Sequence, residues 1–173
     1  MKAEKKPGNG KNPPTPVQPV DIFHTLRDQI LNLDPAEVGM APSADLPNVW
    51  GILMETAYPE AFATLVSLAD GTTSLYFSNG GGIIGGGQHP AVAKATRSFV
   101  AAAENYFHEM TLSNDHPLPA PGGVRFHVLT YQGSYTTEAD ENDLGNHRHA
   151  LSPLFYAGQD VLTQLRIMRD SKK

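Results

Sequence analysis

Asp70-Gly71 constrains this chain more than any other dipeptide in it. It separates two alternating apolar runs, Leu65-Val66-Ser67-Leu68-Ala69 and Thr72-Thr73-Ser74-Leu75-Tyr76-Phe77. Such a dipeptide suits a two-residue type I′ turn, whose central positions need positive φ. In that register Ala69 faces Thr72, Val66 faces Leu75 and Thr64 faces Phe77. One side of the ribbon then carries Val66, Leu68, Leu75 and Phe77, the expected core face. A third run, Val49 to Tyr58, ends at the turn around Pro59 and predicts a strand beside the hairpin.

Helical spacing brackets these strands. Ile22, Phe23, Leu26, Ile30 and Leu33 recur on one face, with Asp21 placed to cap the first turn. Asp34-Pro35-Ala36-Glu37 predicts one further capped turn, ended by Gly39. Pro90 opens a long helix with Val92, Ala95, Phe99, Ala102, Tyr106 and Met110 inward. Pro117, Pro119 and Pro121 then exclude regular structure before a strand over Val124 to Tyr131. There Val124, Phe126 and Val128 oppose Arg125, His127 and Leu129, and Ser134 to Glu138 is expected to return antiparallel after Gly133. The acidic segment 139–149 reads as a loop. Ser152 is expected to cap a last helix with Leu154, Gly158, Val161, Leu165 and Met168 inward. Glycine within a helix costs about 1 kcal/mol relative to alanine, so a close neighbour is expected at Gly158.

The order is helix, three antiparallel strands, helix, one or two strands, helix. It predicts an α+β fold, a small mainly antiparallel sheet packed with about three helices. This element order resembles that of roadblock and profilin-like domains, in which a hairpin feeds a helix that packs on the sheet. The resemblance lies in the order alone and implies no function. Residues 1–20 lack apolar periodicity and are expected to be a disordered tail, with Pro13, Pro14 and Pro16 in a short extended stretch; residues 21–173 form a single domain.

Composition narrows the function classes. The 173 residues include no cysteine, which excludes thiolate metal sites, disulfides and cysteine nucleophiles, and fits a reducing compartment. No stretch reaches the roughly 18 apolar residues of a membrane span, and no signal peptide opens the chain, so the cytoplasm is expected and no membrane partner. Net charge is −5, with +3 on the first twenty residues and −8 on the rest. An acidic body without clustered arginines and aromatics makes nucleic acid an unlikely partner.

Two stretches carry candidate chemistry. Gly80, Gly81, Gly82, Gly85, Gly86 and Gly87, with Gln88 and His89, lie between a strand and a helix, where bare amides and a helix amino terminus favour an anion. Gly80, Gly82 and Gly85 satisfy a G-x-G-x-x-G spacing, but the strand before them belongs to a hairpin rather than to a parallel crossover. The acidic residue about 20 positions later is Glu104, inside a helix. A bend from sheet to helix is the preferred reading. The second stretch holds His147 and His149, which point one way in an extended loop, with Asp143 available to complete a metal site. A solvated polar loop is preferred there too. No nucleophile elbow or zinc-protease helix is present, so no catalytic residue is assigned and no cofactor is expected. The leading expectation is a non-catalytic cytosolic binding or regulatory module, its partner another protein or a second copy through a sheet edge or helix face. The alternative is a small enzyme or anion-binding protein built on the glycine loop, with a histidine-held metal.

Overall fold

A computed structural model describes residues 15–173. The expected disorder of residues 1–14, and the extended segment through Pro13 and Pro14, lie outside the described residues. Among them the chain forms α1 (Pro19–Leu31), β1 (Val49–Ala57), β2 (Phe62–Leu68), β3 (Thr73–Phe77), β4 (Gly82–Ile83), α2 (Pro90–Tyr106), β5 (Thr111–Leu112), β6 (Gly123–Thr130), β7 (Gly133–Asp140), α3 (Glu141–Gly145) and α4 (Ser152–Asp170). The strands make one antiparallel sheet in the order β4-β3-β2-β1-β6-β7-β5. This is the α+β architecture that the element order predicts.

The central strands are buried on both faces, because helices cover each side. Ile52, Met54, Leu65, Leu75, Phe126 and Val128 pack with α2 and α4. Trp50, Leu53, Val66, Leu68, Tyr76 and Leu129 pack with Phe23 and Leu31 of α1. Gly158 of α4 sits where a Cβ would fall 2.6 Å from the Met54 sulfur and 3.1 Å from Phe99. The close neighbour expected at this glycine is therefore β1 together with α2.

The hairpin forms where Asp70-Gly71 places it, but its register differs by one residue. Gly71 N–H donates to the Leu68 carbonyl and Leu68 N–H to the Thr72 carbonyl, which makes a three-residue loop, Ala69-Asp70-Gly71. Of the three, only Gly71 has positive φ, at 95°, as in a turn closed by a glycine bulge. The rest of the fold selects this loop. Ala69 N–H donates to the Trp50 carbonyl instead of pairing across the turn, and Arg97 of α2 donates to the Asp70 carbonyl. The Asp70 carboxylate takes up the Thr72 N–H. Leu65 now faces Leu75 and Ala63 faces Phe77 on the α2–α4 side. Val66 and Leu68 lie on the α1 side with Tyr76, so the predicted single face is divided between two cores.

Several termini also depart from the sequence reading. α1 starts at Pro19, inside the segment assigned to the tail, with Gln18 at its N-cap and Asp21 in its first turn. Its buried line is Phe23, Arg27 and Leu31, while Ile22 is 49% exposed. Ser152 is the first residue of α4 rather than its cap, and among the described residues its buried hydroxyl has no partner. Within the expected loop 139–149, Asp140 accepts the Asp143 N–H and so starts the short helix α3.

Candidate functional site

The arginine in the buried line of α1 has a reason on the sheet. Arg27 Nε and Nη2 donate to both oxygens of Glu55 on β1, at 2.6 and 2.8 Å. His127 Nε2 on β6 lies 3.1 Å from the same carboxylate, and Thr64 Oγ1 on β2 donates to it at 2.7 Å. Arg27 Nη2 also donates to the His116 carbonyl at 2.7 Å. Relative exposures of 4%, 0% and 0% for Arg27, Glu55 and His127 seal the set from solvent. Burial pushes the Glu55 carboxyl up, but hydrogen bonds from Arg27 and His127 outweigh it and hold the group at about 2, against an ordinary 4.5. His116 is held below its ordinary value by burial and then by the charges of His127 and Arg27.

The Glu55 shift fixes an acid response. Below 4.5 the unfolded chain binds a proton that the folded site refuses until about 2. The contribution is complete above 4.5 and is lost as pH falls toward 2. Urea midpoints are expected to hold steady above about pH 5 and to fall steeply below it, less so in a Glu55→Gln chain. An equal acid slope in both chains would contradict this assignment.

A second place lies at the end of the sheet where β1, β3 and β7 finish and β2 and β6 start. Tyr58 N–H donates to the Ala61 carbonyl and closes the β1–β2 turn. The Phe62 N–H donates to Ser78 Oγ at 2.8 Å, which ties this turn to the end of β3. Glu141 N–H donates to the Gly122 carbonyl at 3.0 Å, joining the start of α3 to the turn before β6. Between these ties lies an open groove of about 620 Å³, lined by Tyr58, Pro59, Phe62, Pro121, Glu60 and Glu141 among others. Burial, and then the Glu141 charge, push the Tyr58 phenol above its ordinary value. It stays a protonated donor at neutral pH. A smaller cleft of about 370 Å³ lies at the carboxyl-terminal end of α1, lined by Leu31, Trp50, Asn114, His116 and Ser134 among others. Among the described residues, the buried His116 Nε2 and Ser134 Oγ have no hydrogen-bond partner.

The glycine segment makes its tightest approaches to the chain itself. A Cβ on Gly87 would fall 2.0 Å from the Gly71 carbonyl oxygen, and one on Gly82 would fall 2.2 Å from that of Leu75. One on Gly86 would meet Leu165 of α4 at 2.5 Å. Gly80, Gly81, Gly82 and Gly85 hold positive φ; a Cβ on Gly80 would contact Pro19, while Gly81 has open space around it. Gln88 and His89 are exposed at the approach to α2, and His89, at its N-cap, makes no side-chain capping bond.

The histidine loop does not converge on a shared point. His147 has φ 57° and stacks on Tyr156, with ring centroids 4.7 Å apart. His149 Nδ1 accepts the Leu151 N–H, and Asp143 pairs with Arg148 at 2.9 Å. Among the described residues no group of three histidines or carboxylates is placed to hold a metal ion. Nor, among them, is any helix long and apolar enough to cross a membrane.

No family model matches the chain. No curated protein and no solved structure matches it either. The likeness to roadblock and profilin-like domains thus stays one of element order.

Sequence reasoning missed both places. Arg27 is a charged residue within an apolar stripe, and His127 reads as an ordinary alternating strand residue. Their joint signal was available, because Glu55 and His127 are ionisable residues inside otherwise apolar strands, where charge is rare unless paired. The groove had no such signal, since each of its four segments reads as a plain turn.

Proposed function

We propose that the chain is a non-catalytic binding module whose ligand occupies the groove between Tyr58 and Glu141. The groove's size carries this reading. Its volume of about 620 Å³ lies within the range of roughly 300–1,000 Å³ usual for small-molecule sites, and its wall is mainly apolar with a few polar groups. The buried charge set supports the non-catalytic half. Glu55 and His127 carry the chemistry of an acid–base pair, but they are sealed and tied to Arg27, which leaves a substrate no approach.

Self-association through the sheet edges is the weaker form of the reading. The edge strands β4 and β5 have two residues each and offer little backbone for pairing. The cytoplasm remains the proposed compartment, on the cysteine-free sequence.

Titrating the ¹⁵N-labelled full chain with benzyl alcohol, benzoate and inorganic phosphate tests the site. Saturable shifts at Tyr58, Ala61, Phe62, Gly122 and Glu141 are expected with at least one organic probe. Shifts confined to Gly80–Gly87 with phosphate would move the site to the glycine loop and overturn the proposal.

A further inference from the structure

The groove carries charge of one sign. Glu60 and Glu141 line it with Tyr58 and Phe62, and neither glutamate takes part in an ion pair among the described residues. Arg125, the arginine of the adjoining β6, is already held by Glu138 at 2.6 Å. Glu141 is half-buried and lines the groove with Tyr58, so its charge is less screened than that of a surface carboxylate. Tyr58, 46% exposed, offers an aromatic ring and a phenolic oxygen in the same place.

We infer that this groove selects an organic cation, an ammonium or guanidinium group carried on a small apolar body. The inference rests on the groove being the binding site and adds the class of ligand. An ammonium or guanidinium brings the donors that unpaired carboxylates lack, and charge-assisted hydrogen bonds of this kind are about twice as strong as neutral ones. Tyrosine rings attract the same charge through their faces. Tyr58, Pro59, Phe62 and Pro121 cover the apolar body of the ligand, which an inorganic cation lacks. Anionic ligands meet two carboxylates and are rejected. The rest of the molecule agrees in sign, since residues 21–173 carry −8.

The test compares three ligands of one shape on the full chain: benzylamine, benzyl alcohol and benzoate, followed by groove amide shifts. Benzylamine is expected to bind at least about tenfold more tightly than the alcohol, with benzoate weakest. Glu141→Gln should remove about tenfold of the benzylamine affinity and leave the alcohol unchanged. Glu60→Gln, at an exposed turn position, gives a second reading if Glu141→Gln perturbs α3. Glu37→Gln, on the 3-10 turn Pro35–Val38, alters net charge equally and is expected to change nothing. Equal binding of amine and alcohol in the groove would end the cation inference and leave the binding reading standing. An absence of groove shifts with all three would end both. A loss in Glu37→Gln as large as in Glu141→Gln would reduce the preference to general attraction and also overturn the inference.

Discussion

Replacing Glu55 by alanine is expected to destabilise the protein by about 3–5 kcal/mol, the cost of removing one partner from a buried ion pair. Arg27 would keep its charge beneath α1, met by the His116 and Pro117 carbonyls and the His127 ring nitrogen in place of a carboxylate. Thr64 would lose the acceptor that its hydroxyl now reaches. Urea unfolding of the purified chain measures the loss. Exchanging both partners, Arg27→Met with Glu55→Leu, should recover much of it, because a packed apolar pair carries no desolvation penalty. A loss under about 1 kcal/mol in Glu55→Ala would show that the pair is not the fixture holding α1 to the sheet.

Gly87→Ala is expected to cost about 3 kcal/mol, at the upper end of overpacking, because the obstructing atoms are backbone and cannot rotate away. The new Cβ would meet the Gly71 oxygen at 2.0 Å and the Thr72 Cα at 3.2 Å, both in the turn between β2 and β3. Gly81→Ala is the informative comparison. That site has open space and φ of 80°, so only backbone strain of roughly 1 kcal/mol applies. Thermal unfolding of the two variants should therefore separate them clearly. A Gly87→Ala chain as stable as its parent would remove the packing explanation for that glycine.

Much of the architecture was legible because its signals are local. Val92, Ala95 and Phe99 of α2, the stripe of α4, the alternation in β6 and the position of the β2–β3 turn follow from residues within one element, whereas the expected Met110 lies beyond the end of α2. Register was not legible, because it depends on the Trp50 carbonyl and on Arg97, about 20 or more positions away. The buried line of α1 was misread for a related reason. Periodicity excludes arginine from an apolar stripe, and only Glu55 and His127, 28 and 100 residues on, make Arg27 an interior residue. The two-residue strands β4 and β5 are too short for alternation to register. The groove was illegible for the same cause, being gathered from turns far apart in the chain.

α1 is synthesised well before the seat it occupies is finished. Arg27 leaves the ribosome 89 residues before the His116 carbonyl and 100 before His127. Until both have emerged, α1 has only part of its seat, which includes the wall of Trp50, Leu53, Val66 and Leu68 and the Glu55 carboxylate that Arg27 meets. A fixed charge amid that wall opposes stacking of one nascent chain on another. Docking of α1 thus depends on residues made long after it, His116 and His127 among them.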